Sequence, residues 1–310
     1  MLLKEYLHYM IRASFFTFLV VFSAIGSLYG QLIDNATCNA FTDNPFFNAE
    51  IVRLNKLKAL HGSISTKKEL SAIKKTGKVL NYTFNKNGNL TQQYSSFYRG
   101  KRKDTTFIYF MYDHQNSLTT KRTNDINGFY SYNYGYNAKK QVIKKTYCRD
   151  ENATKSRKKF TLGKQYVIIN ETYSYQGNDS IVTKSVLNNN GLPYQKITYQ
   201  YNSLGYLVLE TKKLLLNNKK STVSYQYNQH GLLKAKKTIR DLKKGNFKKS
   251  TYKYDKLGNL VELNEYNNDQ HITHKEILYD QKTFLLKALI VQDVETNFIK
   301  IIKFKPSFYN

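Results

Sequence analysis

From Val79 onward apolar and polar residues alternate with period two, and short polar turns interrupt the alternation at regular intervals. That pattern predicts antiparallel strands joined by tight hairpins. The clearest unit is Tyr252–Leu260, which reads Tyr-Lys-Tyr-Asp-Lys-Leu-Gly-Asn-Leu. Tyr252 and Tyr254 are two apart and share one face of a strand. Asp255 opens the turn, where its carboxylate can bond backbone two residues on. Gly258 supplies the positive φ that closes the loop, and Leu260 restarts the alternation.

The unit recurs at Tyr225–Leu233, Tyr199–Leu207 and Tyr82–Leu90, with degenerate copies at Tyr109–Leu118 and Tyr134–Val142. Its second aromatic falls at Phe84, Tyr112, Tyr136, Tyr175, Tyr201, Tyr227, Tyr254 and Tyr279. The steps between them are 24 to 28 residues, except for a step of 39 into Tyr175 that marks an inserted stretch around Cys148 to Lys164. A second turn lies midway in each period, as at Asn188–Gly191, Leu216–Lys219 and Lys244–Asn246. Each period is therefore two strands and two turns. Self-similarity at a fixed period implies units that bury their faces against their neighbours. The expected fold is mainly β: a repeat array of antiparallel hairpins forming one long twisted meander sheet, open or partly closed on itself, with one short N-terminal helix. That helix is expected over Thr66–Gly77, where Thr66-Lys-Lys-Glu69 has the form of a capping box. Asn48 to Leu60 reads as either a helix or a first strand.

Ahead of the array the pattern changes. Ser14 to Leu28 is almost wholly apolar, with Lys4 and Arg12 before it and Gly26, Ser27 and Gly30 after. A run of that length suits a signal-peptide core better than a bilayer span of about 20 residues. The expected organisation is a signal peptide over 1–30, a leader with the short helix over 31–78, and the β-repeat domain over 79–310. An uncleaved anchor over Ala13–Ile33 is the rival reading. Either places the body of the protein outside the cytoplasm: periplasmic, cell-surface or secreted.

Charge and composition sharpen this picture only in part. The 310 residues carry 49 Lys plus Arg against 22 Asp plus Glu, a net charge of +27, and 27 Tyr with no Trp. At 41% hydrophobic the chain is not wholly disordered. The lysines are spread along the chain. They read as a solvated sheet face that suppresses edge pairing, or as attraction for an acidic partner. No specific nucleic-acid contact is expected, and a membrane contact only through the N-terminal segment if it stays uncleaved. Cys38 and Cys148 are the only cysteines. They form a disulfide or stand as unrelated thiols, and sequence alone decides neither.

The search for chemistry is short. There is no Gly-rich phosphate loop, no metal-ligand cluster and no nucleophile motif, so no enzyme, cofactor or metal is expected. His271 and His274 are three apart, which places them on opposite faces of a strand, and Glu262 and Glu265 share that spacing. Asp113, Asp255 and Asp280 sit at turns, where capping accounts for them. The remaining constellation is the tyrosine pairs Tyr199/Tyr201, Tyr225/Tyr227 and Tyr252/Tyr254. They form either a platform for stacking sugar rings or the buried face of the sheet. Their place beside every turn favours the second reading.

The Tyr-x-Tyr-Asp-x-x-Gly-Asn-Leu unit resembles the YD repeat of the Rhs-like family of bacterial surface and secreted proteins, over roughly residues 79–290. The large members resemble β-shells that enclose a toxin domain. These 310 residues hold no Asp-Pro-x-Gly-type motif, and the expectation is similarity to the short exported members without a toxin domain. The resemblance implies a sugar-binding role. The expectation is a non-enzymatic exported protein that binds a cell-surface glycan or envelope component. The alternative is a structural or protein-interaction module of the envelope.

Overall fold

The computed structural model describes residues 31–310 apart from 101, 126–127 and 155–159. The expected signal segment lies outside the described residues. Eighteen strands follow one another along the chain. They are β1 (Leu57–Lys67), β2 (Lys74–Phe84), β3 (Leu90–Arg99), β4 (Arg102–Tyr112), β5 (Leu118–Asp125) and β6 (Gly128–Tyr136). Next come β7 (Val142–Asn152), β8 (Leu162–Gly177), β9 (Ile181–Leu187), β10 (Pro193–Tyr201), β11 (Leu207–Leu214) and β12 (Lys220–Tyr227). The last six are β13 (Leu233–Ile239), β14 (Phe247–Tyr254), β15 (Leu260–Asn267), β16 (Gln270–Tyr279), β17 (Leu286–Asp293) and β18 (Phe298–Phe308).

Every strand pairs antiparallel with its neighbour in sequence. β1 pairs both with β2 and with β18, Ile64 lying between Lys78 and Ile302. The meander is thereby a closed barrel, and closure removes the free edges an open sheet would present. A barrel of this strand number is wide enough to leave a lumen unless something fills it.

The turns are built as their residues dictate. Asp255 Oδ1 accepts the N–H groups of Leu257 and Asn259 at 2.9 and 2.8 Å, and Gly258 has φ +84°. Asn202 and Asn228 repeat the arrangement. In the degenerate units Asn116 and Lys140 take the positive φ where the others have glycine, at +60° and +58°.

A closed wall needs an interior, and residues 31–56 supply half of it. Ile33 bridges Phe47, and α1 (Ala49–Leu54) follows, its first turn capped by Asn48 Oδ1. Leu32, Ile33, Phe46, Phe47 and Val52 are buried against Tyr82, Phe84, Leu260 and Leu286 of the wall. The segment plugs the end of the barrel that carries the Asp/Asn-Gly turns. A Cβ on Gly88 would lie 1.8 Å from the Ala49 carbonyl, so the turn and plug touch backbone to backbone.

Two expectations are corrected here. Thr66–Gly77 is not a helix: Thr66 and Lys67 end β1, Lys68 to Ile73 form a turn, and Lys74 begins β2. So short a segment cannot hold a helix against pairing on both edges of β1. The short helix is α1, in the stretch whose pattern left helix and strand open. The sheet also begins at Leu57, ahead of the first recognisable repeat at Val79.

Candidate functional site

The paired tyrosines point into the barrel and do two jobs. The second tyrosine of a unit donates its phenol to the carbonyl of the first strand residue after the preceding turn. Tyr112 bonds Leu90, Tyr136 bonds Leu118 and Tyr175 bonds Val142, at 2.7 to 2.8 Å. Tyr227 bonds Leu207, Tyr254 bonds Leu233 and Tyr279 bonds Leu260, each at 2.9 Å. Tyr309 closes the ring by bonding Phe84, whose own ring packs edge-on against Phe47. These six latches each tie a hairpin to the one before it. The first tyrosines lie deeper. Tyr252 is 7% exposed beside the Cys38 thiol, and burial raises the phenol pKa of Tyr199, Tyr225 and Tyr252 well above the ordinary range.

Three of the six tyrosines singled out in the sequence meet again at the plugged rim. Tyr201, Tyr227 and Tyr254 line a cleft of about 590 Å³ between the start of the plug and the β10–β13 rim. Gln31, Asp34 and Asn35 form its other wall. Tyr206 stacks on Tyr227 with ring centroids 4.8 Å apart. Asn35 is 3% exposed, its Nδ2 donates to the Tyr254 phenol at 3.4 Å, and its Oδ1 has no partner. Burial pushes the Tyr254 phenol up to about 12, so it stays neutral at ordinary pH with its proton hydrogen-bonded to the Leu233 carbonyl. The cleft thus offers an aromatic face and the polar side chains of Gln31 and Asp34, with no Lys or Arg in its lining. Tyr206 and Asn35 were missed in the sequence. Tyr206 carries a signal, because it stands where equivalent units have Asn89, Leu232 and Asn259.

The lumen beyond the plug is polar along β6 to β11. Lys145 lies over the Tyr132 ring at 4.7 Å, and Lys184 over Tyr173 at 4.4 Å. Lys212 pairs with Glu210 at 3.0 Å, and Glu171 accepts the phenols of Tyr173 and Tyr194. Burial lowers the Lys184 pKa against the opposing pull of Glu210.

Cys38 and Cys148 do not form the disulfide: both are free thiols. Cys38 belongs to the plug, inside the wall, whereas Cys148 is buried on the outer face of β7 beside Asn133. The wall itself separates them. That outer patch also holds a buried ion pair, Arg122 to Asp150 at 2.6 Å, with Ser131 and Gln165 completing the carboxylate's partners.

His271 and His274 are not on opposite faces: their rings are 6.3 Å apart. The register shift opposite Glu265 and Tyr266 inserts Ile272 as an extra residue and rotates the pair onto one side. His271 stacks on Tyr266 and His274 Nδ1 meets Asn264 at 2.7 Å. Among the described residues no group of three or more His, Cys, Asp or Glu is arranged to hold a metal.

No family model matches the chain, and no curated protein matches it. Among solved structures, a porin-like protein from Bacteroides uniformis matches with TM-score 0.38 and 13% identity, over 81% of this chain and 98% of that one. A porin-like protein from Bacteroides vulgatus matches with TM-score 0.32 and 10% identity, over 80% and 97%. The TcdB2-TccC3-Cdc42 structure matches with TM-score 0.32 and 14% identity, over 74% of this chain and 12% of that one.

Proposed function

We propose that the chain is an exported, non-enzymatic YD-type β-barrel protein that binds a saccharide of the cell surface or envelope in the rim cleft. The carrying observation is the Tyr206–Tyr227 stack on the wall of an open cleft of about 590 Å³. A sugar ring would lie on that aromatic face, with its hydroxyls toward Gln31 and Asp34 on the opposite wall. The outer wall supports a water-facing barrel. Outward positions on β10 to β14 include Lys196, Thr198, Thr211, Thr222, Lys237 and Thr251, where a lipid-facing belt is apolar.

A glycan array probed with protein beginning at Gln31 tests this reading. Binding to a restricted set of saccharides that persists in molar salt is the expected result. Binding that vanishes in high salt would reduce the interaction to charge attraction and overturn the assignment.

A further inference from the structure

Among the described residues, the longest run of strand that pairs on one side alone lies in β8. β8 has sixteen residues, and β9 has seven. β9 pairs with β8 only from Thr172 onward. From Leu162 to Ile169, β8 pairs with β7 on one side alone. Over that stretch the outer backbone edge of β8 has no strand beside it. Asn189 Oδ1 accepts the N–H of Asn170 at 2.6 Å and marks where the covered edge ends.

The side chains on this edge are the wrong ones for a protected strand. Edges are ordinarily blunted by charge, proline or shortness. Here Tyr166, Val167, Ile168 and Ile169 are 52%, 60%, 51% and 48% exposed, on both faces of the strand. Four consecutive half-exposed apolar residues on a bare edge form a template for strand addition. The hairpin is also rigidly anchored. Gln165 Nε2 reaches Asp150 Oδ1 at 2.7 Å and Ser131 Oγ at 3.2 Å, and Asp150 is held by buried Arg122. A strand so fixed is preorganised to receive a partner.

We propose that the free edge of β8 over Leu162–Ile169 binds an extended, carboxylate-bearing segment of another protein by β-strand addition. This is independent of the saccharide reading. Charge selects the occupant. The strip is flanked by exposed Lys144 and Lys164 on a chain of net charge +27. A second copy would bring two such chains together through a single eight-residue strand. That contact is far smaller than the roughly 1,200–2,000 Å² a stable interface buries. An acidic peptide gains the same backbone bonds and apolar contacts with attraction in place of repulsion.

The test uses a labelled eight-residue peptide that alternates glutamate with valine, titrated against the protein beginning at Gln31 and read by anisotropy. Saturable binding is expected, with hydrogen-exchange protection appearing over residues 162–169. N-methylation of alternate peptide amides should weaken binding at least tenfold. Ile168→Pro should do the same, because Ile168 is the extra residue in the β7–β8 ladder and its replacement spares the pairing of its neighbours. Tyr166→Lys with Ile168→Lys gives a second variant that leaves the backbone intact. Equal binding of the N-methylated peptide, protection elsewhere, or no binding would each overturn the proposal. So would a dimer of the unliganded protein that Ile168→Pro abolishes.

Discussion

The same repeat builds two different interiors. Along the arc from β13 through β18 and β1 to β4, inward positions beyond the tyrosines include Leu233, Leu260, Leu263, Ile277, Leu289, Ile302 and Ile108, all buried and most packed with the plug, while Glu265, Lys275 and Lys300 share that face without joining the cluster. Along the arc from β6 to β11, inward positions include Lys145, Glu171, Lys184, Glu210 and Lys212 beside buried Val186 and Ile197, and none of these belongs to the cluster packed with the plug. The turns and tyrosine latches are alike in both: Tyr175 bonds Val142 as Tyr279 bonds Leu260. The repeat unit therefore specifies the wall, and the residues one and two steps inside each Tyr pair specify what the wall encloses. A wall so built tolerates a wet arc, because each strand is held by two neighbours whatever lies inside it.

The comparison breaks most severely at the plug. Gly88→Ala sets a methyl against the Ala49 carbonyl at a positive φ, and should cost about 3 kcal/mol or more through strain and displaced packing. Leu260→Ala, at a fully buried site of the dry arc, should cost about 3–5 kcal/mol. Lys184→Met on the wet arc should stay within about 1 kcal/mol, because it exchanges a half-buried ammonium for an apolar chain of similar length. Denaturant unfolding of the three variants checks the order. A Lys184 variant as damaging as Leu260→Ala would erase the distinction between the arcs.

Smaller changes probe what the arcs share. Tyr279→Phe and Tyr175→Phe each remove one phenol-to-carbonyl bond, and each should cost about 1 kcal/mol. A cost confined to the dry arc would mean that the latch depends on the plug. The phenols also predict an alkaline limit. Burial raises Tyr254, Tyr134 and Tyr194 to about 12 from an ordinary 10.0. A raised folded-state pKa gives stability that is fully present below pH 10 and is lost as pH rises through about 12. Thermal melts across that window should fall while phenolate absorbance rises with them. Phenolate forming near pH 10 in the folded protein would contradict the burial.

Much of the wall is legible in the chain. Tyr252, Asp255, Gly258 and Leu260 announce a strand, a turn and a strand through chemistry that acts within nine residues, and the structure builds them that way. Closure is not legible, because β1 carries no tyrosine pair and finds β18 some 240 residues away. The Thr66–Glu69 signal is local and loses to that distant pairing. The cleft is half legible. Tyr201, Tyr227 and Tyr254 follow from the period and Tyr206 from a departure from it. Asn35 belongs to the plug, whose position only tertiary packing decides. The inserted stretch between Tyr136 and Tyr175 announces extra length in the sequence, but not that the extra length leaves an edge uncovered.

The account rests on the cleft, and Tyr206 tests it most directly, because it forms the aromatic face without belonging to a latch. Tyr206→Ala should leave the melting temperature close to the parent's while weakening binding of any saccharide found on the array by at least tenfold, as loss of a stacking partner requires. Unchanged binding by a Tyr206→Ala protein that melts like the parent would contradict the assignment of the cleft as the saccharide site.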